Sequence, residues 1–192
     1  MQELKRNKSK IDLSKFGFIA WCFLICSFAG WVYELCWQFS VGNGYVNRGF
    51  LHGCYLPVYG FGGLGMYFLL WKTVSCKKKT WQKILTPIFV YIAAVLITTT
   101  VELLASYLVE YVFRIEKLWD YTYEKYNFEG RISLKNSLYF GIGGMVFLYG
   151  IIPVLKKTVG KMSAKALTIS GLVITGVMSA DLIVQLIMLA IK

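Results

Sequence analysis

Residues 84–113 read ILTPIFVYIAAVLITTTVELLASYLVEYVF, and this stretch decides the fold. About 20 apolar residues are enough for an α-helix to cross a lipid bilayer, so the stretch predicts a membrane-spanning helix. It nevertheless carries two acidic residues, Glu102 and Glu110. A charged side chain at the centre of a bilayer costs about 2.5–3.5 kcal/mol on insertion scales, so each carboxylate requires a partner, a proton or water.

The rest of the chain has the same apolar character. Of its 192 residues, 57% are hydrophobic and 17% are aromatic, whereas soluble domains average about 45–50% apolar residues. Further apolar stretches predict helices at 16–39, 55–72, 136–155 and 167–191. We therefore predict an all-α polytopic membrane protein with about five transmembrane helices. Residues 1–15 would form a basic cytoplasmic segment, and residues 16–192 a single transmembrane domain.

The distribution of basic residues predicts the orientation of these helices. Fourteen of the 21 lysines and arginines lie in the N-terminal segment and in the connections from the second to the third and from the fourth to the fifth helix. Because basic loops stay in the cytoplasm, the N-terminus is predicted to be cytoplasmic and the C-terminus to lie outside. The net charge of +11 thus reflects the orientation of the helices in the lipid bilayer, and we expect no nucleic-acid partner.

Acidic and basic residues converge on the outer side in this topology. Three glutamates fall in the outer halves of the first and third helices, and the outer loops add two arginines and an aspartate. Arginine stays charged and binds carboxylates with a planar fork, so the arginines should neutralise some of the glutamates. A glutamate left unpaired there could carry a proton. The residues expected in this cluster are Glu34, Arg48, Glu102, Glu110, Asp120 and Arg131.

The second predicted helix opens with an unusual glycine-rich sequence, RGFLHGCYLPVYGFGGLG at residues 48–65. Four glycines within six positions after Pro57 allow two structures, which are close packing of helices and an unwound entry that lines a ligand site. The sequence leaves both open. His52 and Tyr59 belong to this segment and join the candidate substrate-binding residues.

The fourth helix carries a similar sequence, YFGIGG at residues 139–144. Each half of the chain then has a glutamate-bearing outward helix, an outer loop with adjacent arginine and glycine, and an inward helix rich in aromatic residues and glycine. This order predicts a parallel tandem repeat of two helical hairpins with a fifth helix appended. In transporters, such repeats place binding sites at their interface.

The fifth helix has one carboxylate, Asp181, near its middle. Gly171, Thr175 and Ser179 form a stripe of small residues that allows another helix to approach closely. Asp181 is expected to face either the helix bundle or a second protomer. A homo-oligomer formed through the fifth helix is therefore a candidate assembly.

The sequence lacks the motifs that mark several classes of function. It contains no Walker A motif and no hydrolase or zinc-protease signature, and it has one histidine and five scattered cysteines. We therefore expect no catalytic residue, metal or cofactor on this chain, which is more consistent with a non-enzyme. ATP-driven activity would need a separate ATPase subunit docked on the lysine-rich inner loops.

Several short motifs occur in a characteristic order: GWVYE at residues 30–34, RGFLHG at 48–53, PVYGFG at 57–62, Glu102, WDY at 119–121, GRI at 130–132 and the glycine-rich fourth helix up to Pro153. Together they resemble a bacterial family known as Putative ABC-transporter type IV, or CmpB-like permeases. The resemblance extends from about residue 16 to residue 160, and Cys54 departs from it where proline is expected. It implies a permease component in the bacterial cytoplasmic membrane.

These observations leave three hypotheses for function. The leading one is an integral membrane permease-like component with an outward-facing polar cavity lined by the carboxylates and loop arginines. The second is a membrane-embedded enzyme acting on a lipid-linked substrate, with a carboxylate as general base and His52 or the arginines holding phosphate. The third is a non-catalytic membrane scaffold or assembly partner, in which the charged cluster is structural.

Overall fold

The computed structural model describes residues 2–42, 44–45, 49–76, 79–115 and 119–191, with side chains from residue 13 onward. Its helices are α1 (Gln2–Ser40), α2 (Pro57–Ser75), α3 (Thr80–Tyr107), α4 (Leu134–Val146), α5 (Ile152–Val159) and α6 (Ala164–Ile191). Two π-helical turns, Leu108–Val112 and Phe147–Ile151, follow α3 and α4 directly. Two short antiparallel strands, β1 (Asn127–Phe128) and β2 (Ile132–Ser133), form a hairpin between α3 and α4.

Within the described residues, four helical stretches are long and apolar enough to cross a membrane. They are Leu13–Ser40, Thr80–Val112, Leu134–Val159 and Ala164–Ile191. They coincide with four of the five predicted spans, which confirms a helical, multi-pass membrane protein. Helix α2 is not among them; its 19 residues include Pro57, four glycines and Lys72. The fifth span and the tandem repeat stay predictions.

The chain forms two compact units. The first comprises Met1–Leu56 and Pro153–Lys192, and the second comprises Pro57–Ile152. The predicted single transmembrane domain over residues 16–192 stays a prediction.

In the first unit, α1 and α6 approach each other closely through two glycines. A Cβ atom added to Gly171 would lie 2.6 Å from the Cα atom of Gly17, so neither position has room for a side chain. One turn along α1, the indole nitrogen of Trp21 donates a hydrogen bond to the hydroxyl of Ser170 at 3.0 Å. Small residues of this kind let helix backbones pack closely in lipid. Part of the predicted small-residue stripe is therefore used within the protomer.

Replacing Gly171 with alanine is expected to lower the melting temperature of the purified protein. The added methyl group must push α1 away from α6, and such overpacking typically costs about 1–3 kcal/mol. The matched control is Gly176→Ala on the same helix, where an added Cβ meets nothing within 4 Å. Thermal unfolding in detergent, followed by intrinsic fluorescence, would compare the two variants. Equal melting temperatures would contradict the close packing of α1 on α6.

In the second unit, α3 packs between α2 and α4. The glycines of α2 lie in regular helix, and Cβ atoms added to Gly62 and Gly65 would touch Thr98 and Ile97 of α3. On α4, a Cβ atom added to Gly141 would lie 2.9 Å from the ring of Tyr91. Of the two structures that the glycine-rich sequence allows, close packing is therefore the one found after residue 57. The part of that sequence before α2, residues 49–56, is non-helical.

Candidate functional site

The loop that follows α3 is shaped by the turn of the β1–β2 hairpin. Glu129 and Gly130 have φ angles of 53° and 66°, and the N–H of Arg131 donates to the carbonyl of Phe128 at 3.0 Å. Two successive positive φ angles are typical of the turns that match the twist of a hairpin. Glycine adopts this conformation freely, whereas glutamate is strained there. The Asn127 side chain supports the turn by accepting the N–H of Gly130 at 2.9 Å.

The hairpin directs the side chain of Arg131 onto the end of α3. Its guanidinium forms an ion pair with Glu110, lies 3.3 Å from the carboxylate of Glu129 through Nε, and donates from Nη1 to the hydroxyl of Ser106 at 2.9 Å. The arginine side chain is only 9% exposed. Burial disfavours the charged guanidinium, but the hydrogen bond and charge of Glu110 outweigh it and raise the pKa of Arg131. Arg131 is therefore a permanent cation held between two carboxylates.

Two aromatic rings complete the surroundings of this cation. The guanidinium carbon of Arg131 lies 4.4 Å from the ring centroid of Tyr107 and 6.0 Å from that of Tyr111, within the range of cation–π attraction. The hydroxyl of Tyr107 also donates to Glu129 at 2.7 Å. Tyr107 directly precedes the π-helical turn Leu108–Val112 and Tyr111 lies within it; such a distortion is often found at functional sites. We call Ser106, Tyr107, Glu110, Tyr111, Glu129 and Arg131 the arginine cluster.

Glu102 is held by a different residue of the same loop. The residue is 5% exposed, and its carboxylate accepts a hydrogen bond from the hydroxyl of Tyr121 at 3.0 Å. The backbone N–H of Tyr121 donates to the carbonyl of Gly130 at 2.8 Å, and the indole of Trp119 donates to the carbonyl of Arg131 at 2.9 Å. The loop thus contacts Glu102 of α3 and Glu110 of the π-helical turn after it, and Trp119 and Tyr121 connect the loop to the hairpin.

The structure places the remaining predicted site residues as follows. Glu34 lies half-buried on α1 of the first unit, and Arg48 falls outside the described residues. Tyr59 lies on α2 and packs edge-on against Phe140, with ring centroids 5.5 Å apart. Asp120 accepts the backbone N–H of Thr122 at 3.0 Å in a local turn. Of the predicted acid–arginine contacts within the second unit, the structure thus contains the pairing of Arg131 with Glu110.

In the first unit, His52 contacts a residue that the sequence did not connect with it. Oδ1 of Asp181 lies 2.9 Å from Nδ1 of His52 and accepts the backbone N–H of the same residue at 3.3 Å. Oδ2 accepts the N–H of Gly53 at 3.0 Å and the hydroxyl of Tyr55 at 2.6 Å. Asp181 thus faces the interior of its own unit, one of the two arrangements that the sequence allowed.

Glu129 and Asp181 make contacts that no sequence pattern indicates. Glu129 joins Arg131 only because it occupies a left-handed conformation that glutamate rarely adopts. Asp181 is 129 residues from His52, so no local pattern connects them. Among the described residues, no group of three or more histidines, cysteines, aspartates and glutamates is placed to hold a metal ion.

Comparison with known proteins identifies the family of this chain. The family model described as Putative ABC-transporter type IV, ABC_trans_CmpB, matches residues 21–186. No curated protein and no solved structure matches the chain. The family match covers most of the sequence, including α3, the hairpin and the segment of His52. The chain therefore belongs to the family Putative ABC-transporter type IV.

Proposed function

We propose that this chain is the permease component of a membrane transporter, with an outward-facing polar site formed by α3 and the loop that follows it. The observation that carries the proposal is the position of Glu102 and Glu110 on an apolar helix, each bonded to a residue of that loop. Carboxylates are rare in lipid-facing helices and mark substrate or ion pathways. The family description supports a role in transport.

The charge balance of this site favours a cationic cargo. Glu102, Glu110 and Glu129 supply three carboxylates, and the guanidinium of Arg131 is held between two of them. The site therefore has an excess of negative charge and of acceptor oxygens. An anionic cargo would have to displace a carboxylate from Arg131, whereas a cation or a proton would add to the existing pattern.

The energy for transport would come from another subunit. The chain has no Walker A motif, and we propose that a separate ATPase docks on the lysine-rich inner loops. To test this, the tagged full chain would be purified from membranes of its native host in mild detergent and assayed for ATP hydrolysis. We expect an ATPase subunit in fixed ratio to the chain. Repeated recovery without an ATPase and without hydrolysis would contradict the proposal.

One observation favours a second function, that of a non-catalytic scaffold. The contacts of Arg131 with Glu110, Glu129 and Ser106 all lie within its own unit, and its side chain is almost fully buried. Such an arrangement can exist solely to anchor the outer loop on α3. In that case, neutralising Glu102 would change only the amount and the stability of folded protein, and not the activity of each folded complex.

A further inference from the structure

The segment 49–56, which precedes α2, is held at the depth of the membrane interior. It is non-helical throughout. The N–H of Leu56 donates to the carbonyl of Ser27 at 3.0 Å, and Ser27 lies at the middle of the apolar stretch Leu13–Ser40. Asp181, its other anchor, lies about four residues past the middle of Ala164–Ile191, or about 5 Å along the axis at 1.5 Å per residue. Both anchors thus lie within about 5 Å of the middle of their helices.

Non-helical backbone at this depth requires protein or water around it. Lipid cannot satisfy free N–H and carbonyl groups, so irregular segments in the membrane occur only where they are buried in protein or line a water-filled cavity. The segment has both kinds of surroundings. Leu51, Tyr55 and Leu56 are buried, whereas the side chain of His52 is 52% exposed and Cys54 is exposed. The surface that carries His52 is therefore open to water or to a polar ligand.

The contacts of Asp181 favour one tautomer of the His52 imidazole. Its side chain is 14% exposed, and both of its oxygens face donors, including the backbone N–H groups of His52 and Gly53. An ionised carboxylate can only accept hydrogen bonds. Nδ1 of His52 must then carry a hydrogen and donate it to Asp181, which leaves Nε2 without a hydrogen in the neutral ring. The carboxylate thus orients the ring and presents a lone pair on the exposed side.

Gly53 makes this geometry possible. A Cβ atom at this position would overlap the ring of Tyr55, which reaches back to Asp181 with its hydroxyl. The N–H of Tyr55 also donates to the carbonyl of Gly53 at 2.8 Å, which closes a tight turn. His52, Gly53 and Tyr55 thus form a compact turn around one carboxylate.

We propose that the segment 49–56 and α6 form a water-accessible binding site in the membrane interior, in which Nε2 of His52 accepts a hydrogen bond from an N–H or O–H group of a polar ligand. Asp181 is the positioning residue of this site. The negative charge of Asp181 lies on the other side of the ring from this lone pair. A ligand that carries both an N–H group and positive charge therefore fits best. The site stands on the contacts of the first unit and does not rest on the transport role.

The single histidine of the chain makes the site directly measurable. The full chain would be labelled with ¹⁵N-histidine, placed in lipid nanodiscs and examined by NMR at a pH where the ring is neutral. We expect the Nδ1–H tautomer, with Nε2 showing the shift of an unprotonated nitrogen. Wild-type protein alone decides this point, and a dominant Nε2–H tautomer would overturn the proposal. In Asp181→Asn, which removes the charge and retains an acceptor oxygen, the preference for Nδ1–H should fall.

Access and ligand class are tested on the same sample. Diethyl pyrocarbonate, which attacks unprotonated imidazole nitrogen from water, should modify His52 in the nanodisc, and complete protection would contradict a water-accessible site. Methylammonium chloride should shift the Nε2 resonance, because methylammonium carries N–H groups. Tetramethylammonium chloride has the same charge without an N–H group and should not. Equal shifts from the two salts, or no shift from either, would refute the proposed ligand class.

Discussion

Replacing Arg131 with methionine is expected to lower the melting temperature by roughly 5 °C or more. Methionine retains much of the apolar stem, but it leaves Glu110 and Glu129 facing each other without the cation that now lies between them. It also removes the donor to Ser106 and the cation above the ring of Tyr107. The loop after α3 should then lose its anchor. Thermal unfolding of the purified protein measures the effect.

Two further variants separate the ion pairs from a general effect of losing an arginine. Arg114→Met changes an exposed arginine that, like Glu129, has a φ angle of 53°, and it should leave the melting temperature nearly unchanged. Glu110→Gln added to Arg131→Met should recover part of the loss, because it removes one of the uncompensated charges. An Arg131→Met protein as stable as the Arg114→Met protein would contradict the structural importance of the arginine cluster.

Replacing Asp181 with alanine is expected to have the second large effect, on the segment 49–56. The change removes the acceptor of His52, Gly53 and Tyr55 at once. The donors of Gly53 and Tyr55 are partly buried, and a buried donor left without an acceptor costs about 1–3 kcal/mol, so a fall in melting temperature of roughly 5 °C is expected. Cys54, next to these residues, should react faster with a water-soluble maleimide as the segment loosens. Labelling would be measured by mass spectrometry, which resolves the five cysteines.

The matched control for Asp181 lies half a turn before it. Ser179→Ala removes a small polar group from an exposed position of α6 and should change neither the melting temperature nor the reactivity of Cys54. Asp181→Asn retains an acceptor for the donors of the segment and should be intermediate. An Asp181→Ala protein that behaves like Ser179→Ala would show that the contacts of this carboxylate do not hold the segment.

The helical framework could be predicted because lipid imposes it locally. A helix satisfies its own backbone groups, so an apolar run of sufficient length is enough to indicate a span. The stretches found for the first, third, fourth and fifth helices agree with the prediction to within a few residues. The second helix, predicted at 55–72, is present as α2 (Pro57–Ser75) but is not among the stretches that qualify as spans, and its glycines provide close packing with α3.

The candidate site could be predicted only in part. The pairing of Arg131 with Glu110 follows from the expense of a lone carboxylate in an apolar helix, which requires a cation nearby. That Glu102 is bonded by a tyrosine, and Arg131 also by Glu129, depends on the turn geometry of the hairpin. A contact between residues 52 and 181 depends on how two distant segments pack. None of these three contacts is encoded in a local sequence pattern.

The most direct test of the permease proposal is ATP hydrolysis by the complex purified from the native host, compared between the wild-type chain and Glu102→Gln. Glutamine still accepts the hydroxyl of Tyr121, so the variant should fold and retain its partner while losing the charge. From the permease proposal we expect an ATPase subunit in both preparations and a rate per folded complex that changes by roughly fivefold or more. The absence of an ATPase, or an unchanged rate per complex, would contradict it.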